Sequence, residues 1–235
     1  MVFVSSDWHG TSLEKIKNLL DKADFGEDDY LFVLGDVIDR GKYGIDLIKY
    51  IMCEPNIKLI RGNHEQMMLS CDFVLDEITD CSVNSLEMEQ VKSLMVWNRN
   101  GAATTIEGLS KESPEMRKTI FEYLADTPLY DTASIDDRDF LFVHGGLELD
   151  ANGNVKRFSE SDEHNLLWSR PNLNTQYSTD FTTIIGHTPT CLYGEEYRGK
   201  ILKTGTWINV DAGAAFGLSP ALLRLDDMKE FYLDK

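Results

Sequence analysis

Short apolar runs recur along the first third of the chain, and amphipathic stretches separate them. Runs rich in β-branched and aromatic residues predict strands over 2–4, 30–34 and 57–60. Between them, apolar residues at helical spacing predict helices over about 13–23 and 45–52. The order strand, helix, strand, helix, strand with short connections indicates a parallel sheet with right-handed crossovers.

The middle of the chain, from about residue 65 to 130, predicts mostly helix. Its first apolar positions at helical spacing are Leu86, Met88, Val91, Leu94 and Met95. Further on, Ser113 before Pro114 predicts an N-cap and a first helical position. We interpret this part as a helical insertion beside the sheet, which either only packs or also takes part in substrate choice.

In the first helix, Thr11 and Glu14 fit a capping box, which predicts Thr11 as the N-cap.

The second half returns to strands. The predicted strands are 140–143, 182–185 and 207–210, with 221–225 and 231–233 as a closing hairpin. Because these strands follow one another without long helices, we expect an antiparallel or mixed second sheet. No repeat, low-complexity tract or linker divides the chain, so we expect residues 1–235 to form a single domain.

Polar side chains with metal-binding chemistry follow the strands at the points where they end. Four of the five histidines do so, together with two aspartates and one asparagine. Ligands of open α/β sheets bind outside the carboxyl ends of strands, so we expect these side chains to converge. The candidate metal ligands are Asp7, His9, Asp36, Asn63, His144 and His187.

This donor set favours some metals over others. Oxygen and imidazole donors without cysteine suit Mn, Fe, Zn and similar divalent ions, and disfavour iron–sulfur or thiolate zinc sites. Six donors are too many for one open tetrahedral site and suit two ions that share a carboxylate. For each residue alone, the ordinary alternative is a turn or capping residue, or a satisfied polar group. Manganese is the expected metal, and Fe, Zn, Ni or Co would also fit.

Three arginines beside these motifs contrast with the charge of the whole chain. Arg40, Arg61 and Arg170 are candidates for binding phosphate, because a guanidinium matches phosphate oxygens bidentately. For Arg170 the alternative is an ordinary surface arginine. The 23 Lys and Arg against 40 Asp and Glu give a net charge of −17, which disfavours nucleic acid and anionic membranes as partners. Arginines and two metal ions in one cleft would form an electropositive site within this acidic exterior.

Composition excludes several other classes of protein. Hydrophobic residues make up 42% of the chain, enough for a sizeable core. No apolar run approaches the roughly 18–20 residues that span a bilayer, and the first residues lack the basic leader and apolar region of a secretory signal. The four cysteines form no C-x-x-C pair, so we expect free, mostly buried thiols in a cytoplasmic protein.

Five short blocks carry the polar residues at the strand ends. They are Asp7-x-His9-Gly10, Gly35-Asp36-x-x-Asp39-Arg40-Gly41, Arg61-Gly62-Asn63-His64-Glu65, His144-Gly145-Gly146 and Gly186-His187-Thr188. In this order they resemble the signature of the calcineurin-like metallophosphoesterases, and more narrowly the phosphoprotein phosphatase branch. Trp97-x-x-Asn100-Gly101 and Trp168-Ser169-Arg170 are similar to the bacterial and phage-type serine/threonine phosphatases. Bacterial diadenosine tetraphosphate hydrolases share the same five blocks.

The resemblance implies a fold and a metal centre. The fold would be a four-layer α/β/β/α sandwich with two mixed β-sheets and the helical insertion. Asp7, His9 and Asp36 would hold the first ion. Asp36 would bridge to a second ion, held also by Asn63, His144 and His187. Glu65 and Asp211 would orient ligands, as is usual around such sites.

The resemblance also implies roles for the substrate-facing residues. His64 would be the general acid that protonates the leaving oxygen, and Asp39 would orient it and raise its pKa. Arg40 and Arg170 would clamp the phosphate, with Asn63 near it. Arg61 would be a further substrate-binding residue or a structural one.

The implied reaction is metal-dependent hydrolysis of phosphoserine and phosphothreonine, with phosphotyrosine as a further substrate. A hydroxide bridging the two ions would attack in line. No G-x-S-x-G or C-x5-R signature occurs, which agrees with direct attack. The alternatives are symmetrical dinucleoside polyphosphate hydrolysis at the same site, a polynucleotide phosphatase, which the acidic charge disfavours, and a non-catalytic scaffold, which the intact blocks disfavour. The expected partners are a phosphorylated protein or a small phosphoester, without nucleic acid or membrane, and a monomer is expected.

Overall fold

Ten strands form two sheets in the part of the chain that the structure, a computed structural model, describes: residues 1–75, 87–156 and 163–233. In chain order the strands are β1 (Val2–Ser5), β2 (Tyr30–Val33), β3 (Ile57–Leu59), β4 (Tyr130–Ile135), β5 (Arg138–Val143), β6 (Thr182–Ile185), β7 (Leu202–Lys203), β8 (Trp207–Asn209), β9 (Ala221–Arg224) and β10 (Lys229–Tyr232). The first sheet has the order β10-β9-β1-β2-β3, and the second β4-β5-β6-β8-β7. Both sheets are mixed, as the fold class predicted.

Seven α-helices lie in the described ranges. They are α1 (Leu13–Lys22), α2 (Gly44–Cys53), α3 (Asn63–Leu69), α4 (Met88–Arg99), α5 (Ala103–Ser110), α6 (Pro114–Asp126) and α7 (Glu163–Trp168). The predicted β1-α1-β2-α2-β3 unit is confirmed, because β1 pairs with β2 and β2 with β3 in parallel. Leu86, at the predicted start of the insertion, lies outside the described residues.

Two helix starts test the capping predictions. Ser113 caps α6, since its side chain accepts from the backbone N–H of Met116, and Pro114 occupies the first turn. The prediction of Thr11 as the cap of α1 is wrong. Ser12 is the N-cap, because the helix begins at Leu13 and the Ser12 hydroxyl accepts from the N–H of Lys15 at 3.3 Å.

The two sheets pack face to face, and their strands are apolar on both sides. Alternate residues of β1 and β2 face opposite ways, as the pleat requires. Phe3 belongs to the core on the helix side, whereas Val4 and Phe32 belong to the core between the sheets. The rings of Phe32 and Phe142 stack across that interface with centroids 4.2 Å apart. Because both faces are buried, the sequences of these strands are continuous apolar runs.

The insertion packs against other helices as well as on the sheet. Helix α4 contacts α3, and α5 contacts α2. Helix α6 contacts both α2 and α3. Trp97 and Leu109 from this part lie in the same core cluster as Phe3 of the sheet. The outer face of the second sheet is covered by a third cluster that includes Leu166 of the short helix α7 and Tyr177.

The closing hairpin lies in a different place from the one predicted. Strands β9 and β10 pair antiparallel as expected, but β9 joins β1 in the first sheet, with Val4 opposite Leu223. The second sheet instead gains β4 and β7, which the apolar pattern missed. The pattern missed β4 because only alternate residues of this edge strand are partly covered.

Three of the four cysteines are described, and all three are free. Cys71 is buried, but Cys53 is exposed and Cys191 is half-buried, so the expectation of mostly buried thiols is wrong for these two. Cys81 lies outside the described residues. Across the described ranges, no helix has the length and apolar character needed to cross a bilayer. The single domain over residues 1–235 stays a prediction.

Candidate active site

The polar residues singled out in the sequence meet at the carboxyl ends of four strands and at the start of α3. Asp7 follows β1, Asp36 follows β2, His144 follows β5 and His187 follows β6, while Asn63 opens α3. All five are buried, as are His9, Asp39 and His64. Residues scattered over most of the chain therefore form one buried cluster.

Asp36 lies at the centre of this cluster. Its Oδ1 atom is 3.3 Å from Nε2 of His144, and its Oδ2 atom is 3.8 Å from Nε2 of His9 and 3.7 Å from Nε2 of His64. Two groups of potential metal ligands result among the described residues, and they share Asp36. One comprises His9, Asp36 and His64, and the other Asp36, His144 and His187.

The backbone around these residues adopts an unusual conformation. Asp7, Asp36 and His187 have φ values of 53°, 53° and 67°, in the left-handed region that L-residues rarely occupy. Asp39 and Arg40 follow with 68° and 66°. Such strain clusters at functional sites, where the surrounding structure holds it in place. The loops after the strands are thus shaped to turn these side chains inward.

The histidine rings are oriented by backbone carbonyls on one side. Nδ1 of His144 lies 2.6 Å from the carbonyl oxygen of Leu34, and Nδ1 of His9 lies 3.3 Å from that of Ile38. A carbonyl oxygen only accepts, so Nδ1 carries the proton in both rings and Nε2 faces the cluster. This orientation leaves Nε2 as the metal-binding atom.

Two buried atoms in the cluster lack a hydrogen-bond partner. They are Oδ1 of Asp7 and Nε2 of His187. Oδ1 of Asp7 lies 3.6 Å from Nε2 of His9, at the edge of the first ligand group. Unpartnered buried polar atoms are costly, and a divalent ion ligated by them would remove that cost. The donor set contains carboxylate, imidazole and the Asn63 amide, so the residues present fit hard or borderline divalent ions.

Opposing effects set the pKa values in the cluster. Burial lowers the pKa of His144, but the Asp36 and Asp7 carboxylates and the bond to the Leu34 carbonyl together outweigh burial and raise the pKa to about 10. Burial and the neighbouring His144 lower the pKa of His187 to about 3. Burial alone would raise the pKa of Asp36, but His144 and His64 hold it well below its usual range. The shared carboxylate is therefore ionised.

Glu65 fixes the loops that carry Asp36. Its two carboxylate oxygens accept from the N–H groups of Asp36 and Val37, at 2.8 and 2.9 Å, and from that of Gly62 at 3.0 Å. Gly62 itself has no room for a side chain, because a Cβ atom there would lie 2.3 Å from Oδ1 of Asp36.

Asp211 is also buried, and burial followed by the charge of Asp7 raises its pKa well above the usual range.

His64 differs from the other histidines in its partner. Its Nδ1 atom lies 2.6 Å from Oδ2 of Asp39, and its Nε2 atom lies 3.3 Å from Nη2 of Arg40. Burial lowers the pKa of His64, but Asp36 and the hydrogen bond to Asp39 outweigh burial and raise it. A carboxylate partner on the far side of the ring is the arrangement of an oriented proton donor.

Arg170 and Arg61 have different environments. Arg170 is exposed, donates to the hydroxyl of Thr188 at 3.1 Å and lines a cleft of about 520 Å³. The guanidinium of Arg61 donates to the carbonyl oxygens of Ala125 and Thr127, at 2.6 and 2.9 Å, beside the end of α6. These contacts are those of a structural residue, which is one of the two roles expected for Arg61.

Sequence reasoning noted Trp97 only as part of a motif and missed Thr105. Both contact Asp39, since Nε1 of Trp97 donates to its Oδ2 at 2.8 Å and the Thr105 hydroxyl donates to its Oδ1 at 2.5 Å. No local pattern marks Thr105, because it reaches Asp39 across 66 residues of sequence. For Trp97 the available signal was its position at the start of the motif Trp97-x-x-Asn100-Gly101.

A family model described as calcineurin-like phosphoesterase matches residues 1–206. The chain belongs to the calcineurin-like phosphoesterase family. Members of this family are hydrolases that use divalent metal ions, which agrees with the buried cluster around Asp36. The family expectation drawn from the five blocks is thereby confirmed.

This phosphoesterase is similar to curated proteins of two kinds. It is 25% identical over 136 residues to a symmetrical bis(5'-nucleosyl)-tetraphosphatase of Erwinia tasmaniensis, covering 56% of this chain and 47% of the relative. It is 26% identical over 184 residues to serine/threonine-protein phosphatase PP1-1 of Saccharomyces cerevisiae, covering 72% of this chain and 49% of the relative. The chain thus spans about half the length of these curated relatives.

Solved structures share the fold. A crystal structure described as that of a proposed diadenosine tetraphosphatase has a TM-score of 0.61 at 14% identity and covers 100% of this phosphoesterase and 94% of that chain. A Saccharomyces cerevisiae serine/threonine phosphatase with similarity to human PP5 has a TM-score of 0.55 at 17% identity, covering 100% of this chain and 80% of its own. At such identities the likeness shows the fold alone.

Proposed function

We propose that this phosphoesterase is a metal-dependent phosphomonoesterase that acts on phosphoserine and phosphothreonine, and also on phosphotyrosine. The observation that carries the proposal is the arrangement at Asp36, where two groups of potential ligands share one carboxylate and one member of the first group, His64, is also bonded to Asp39. Two ligand groups beside an oriented proton donor suit in-line transfer of a phosphoryl group to water.

The candidate ligands divide between two divalent ions. Asp7, His9 and Asp36 would hold one, and Asp36, Asn63, His144 and His187 would hold the other. When bound, the ions activate water and offset the charge of the phosphate. The chain's part is to fix the ligands: Glu65 and the carbonyl oxygens of Leu34 and Ile38 hold the loops and rings in place. Manganese is the ion we expect, with Fe, Zn, Ni and Co as alternatives.

His64 acts as the general acid. As water attacks phosphorus, the bond between phosphorus and the leaving oxygen breaks, and Nε2 of His64 gives its proton to that oxygen. Asp39 holds Nδ1 and keeps Nε2 directed at the place where the ester lies. Nε2 of His64 lies 3.7 Å from Oδ2 of Asp36 as well, but the Arg40 guanidinium lies 3.3 Å from the same nitrogen, and its positive charge disfavours a metal ion there.

Arg40 and Arg170 bind the phosphate. The Nη2 atom of Arg40 lies beside Nε2 of His64, so the arginine and the acid face the same point. Arg170 is exposed at the cleft, which is also lined by Asn172, Asn174 and Tyr193. Hydrogen-bonding side chains at an open cleft suit the peptide on either side of a phosphorylated residue.

The test is a substrate panel on protein stripped with EDTA and then reconstituted with Mn²⁺. Phosphate release from phosphoserine and phosphothreonine peptides is compared with release of ADP from diadenosine tetraphosphate at equal concentration. We expect peptide cleavage that is lost in EDTA and in His64→Asn, and retained in Glu107→Gln, which removes only an exposed partner of Lys111. Full activity without metal, or in His64→Asn, would contradict the mechanism.

A second candidate function is symmetrical hydrolysis of dinucleoside polyphosphates at the same site. The observation that favours it is the similarity to the Erwinia tasmaniensis tetraphosphatase over 56% of this chain. The match to the yeast phosphatase covers a larger share, 72%, and supports the first candidate. ADP as the main product, with the phosphopeptides left intact, would reverse this order.

A further inference from the structure

The corner between α4 and α5 contacts the carboxylate that orients His64. Nε1 of Trp97, near the end of α4, donates to Oδ2 of Asp39 at 2.8 Å. Thr105, in the first turn of α5, donates its hydroxyl to Oδ1 of Asp39 at 2.5 Å and accepts from the Asp39 backbone N–H at 3.0 Å. Trp97 is 0% and Thr105 is 1% exposed, so water does not compete for these bonds.

These bonds leave the Asp39 carboxylate no freedom to rotate. Oδ2 accepts from both Trp97 and Nδ1 of His64, while Oδ1 accepts from Thr105. The Asp39 backbone is in the left-handed region, with φ at 68°, and the bond from its N–H to Thr105 helps to hold it there. Removing one donor would loosen the carboxylate and, with it, the imidazole ring.

The same corner also touches Arg40. The backbone N–H of Arg40 donates to the carbonyl oxygen of Gly101 at 3.0 Å. Gly101 has a φ of +106°, and a Cβ atom there would lie 2.8 Å from Cγ of Arg40. The turn between the two helices thus packs directly on the residue that follows Asp39.

We propose that Trp97 and Thr105 are positioning residues of the general acid, which fix Asp39 so that His64 keeps Nε2 directed at the leaving oxygen. The proposal rests on the role given above to His64. It assigns the helical insertion a part in catalysis, beyond the packing and substrate choice that the sequence left open. The competing explanation is that both residues only pack the core.

The two explanations differ in how the rate depends on the leaving group. His64 delivers a proton to the leaving oxygen as its bond to phosphorus breaks. A phenolate leaving group of high pKa needs that proton, whereas p-nitrophenolate leaves readily without it. Misplacing the acid therefore slows phenyl phosphate much more than p-nitrophenyl phosphate, whereas a loss of packing slows both alike.

The main experiment compares Thr105→Val, which keeps the shape and removes the hydroxyl, with Thr105→Ser, which restores it. Thr183→Val is the matched control, because Thr183 is buried and its hydroxyl has no partner. We expect Thr105→Val to lower kcat for phenyl phosphate about tenfold, with KM and the p-nitrophenyl phosphate rate within about twofold of wild type. Thr105→Ser and Thr183→Val should match wild type on both substrates.

Trp97→Phe provides an independent variant that removes the indole donor and keeps an aromatic ring. It should show the same selective loss on phenyl phosphate. Equal slowing of both substrates by Thr105→Val and Trp97→Phe, or no slowing by either, would overturn the proposal.

A second readout works on metal-free protein and needs no activity. The proton on Nδ1 of His64 should give a downfield NMR signal because of its bond to Asp39, and Trp97 should give a shifted indole N–H signal. Thr105→Val should move both signals, whereas Thr183→Val should leave them in place. If these shifts occur but no phosphoester is cleaved by reconstituted wild type, the proposed function fails and the positioning of the ring stands. If wild type is active and the signals do not respond, the positioning role fails.

Discussion

The Oδ1 atom of Asp36 lies 3.3 Å from Nε2 of His144, and Asp36 is the residue that the two groups of ligands share. Nε2 of His144 also lies 2.8 Å from Oδ1 of Asn63, so both of its neighbours are acceptors. Burial lowers the pKa of His144, but the Asp36 and Asp7 carboxylates and the bond to Leu34 together raise it to about 10. In the metal-free protein a proton therefore occupies the nitrogen that a metal ion would need.

The first prediction is that metal binding releases protons. Below a pKa of about 10 His144 holds its proton, and an ion must displace it, so affinity should rise as the pH rises. We expect the binding constant for Mn²⁺ to increase about tenfold per pH unit between pH 6 and 8, for one displaced proton. Titration calorimetry in buffers of different ionisation enthalpy measures the protons released. Binding that is independent of both pH and buffer would contradict this.

The second prediction concerns the pH dependence of Asp39→Asn. The protonated form of His64 is the active acid, so activity is present below its pKa and lost as the pH rises through it. Burial lowers this pKa, but Asp36 and the bond to Asp39 raise it above its usual value. Removing the Asp39 charge should therefore move the alkaline limb of kcat for phenyl phosphate to lower pH. Asp131→Asn, which removes a surface partner of Lys58, should leave the limb in place.

The third prediction separates the two arginines. Arg170→Ala should raise KM for a phosphopeptide about tenfold because a charged hydrogen-bond donor to phosphate is lost. Arg61→Ala should leave KM unchanged and lower the free energy of unfolding by about 1–2 kcal/mol, since it breaks bonds to the end of α6. Steady-state kinetics and urea unfolding measure the two effects. A rise in KM for Arg61→Ala would instead support its substrate-binding role.

The fourth prediction is that Glu65→Gln weakens both folding and metal binding. The amide that replaces one carboxylate oxygen would face the N–H donors of Asp36 and Gly62. We expect a loss of about 2 kcal/mol in the free energy of unfolding and about tenfold weaker Mn²⁺ binding. Glu107→Gln is the control, because Glu107 pairs with Lys111 on the exposed face of α5. Equal effects of the two variants would contradict the role of Glu65.

The fifth prediction tests the space beside Asp36. In Gly62→Ala the new Cβ atom would clash with Oδ1 and with the backbone nitrogen of Asp36, so the loop that carries this carboxylate must shift. We expect loss of Mn²⁺ binding in a protein that still folds. Gly205→Ala introduces a methyl group with nothing within 4 Å and should bind metal as wild type does. Elemental analysis of the purified variants gives the metal content, and a full metal complement in Gly62→Ala would contradict the prediction.

Several features needed the tertiary structure because they depend on distant partners. The sequence pattern of the hairpin at 221–232 does not indicate which sheet it joins, and the structure places β9 beside β1. Arg61 and Arg170 both stand next to signature blocks, yet the first bonds to the end of α6 and the second faces a cleft. Which role a guanidinium takes depends on the groups it meets, and these lie far away in sequence.

The sequence by itself determined the strands of the β-α-β-α-β unit and the residues that follow them, since local apolar runs and glycine turns suffice to mark both. It therefore also determined the set of candidate ligands and the family. Through the family resemblance it also implied that Asp36 is shared and that Glu65 orients ligands. Only the tertiary structure decided which N–H groups Glu65 binds and that Trp97 and Thr105 hold Asp39. The physical reason is that donors and acceptors in a buried site are paired by packing across the fold, and no periodicity along the chain records that pairing.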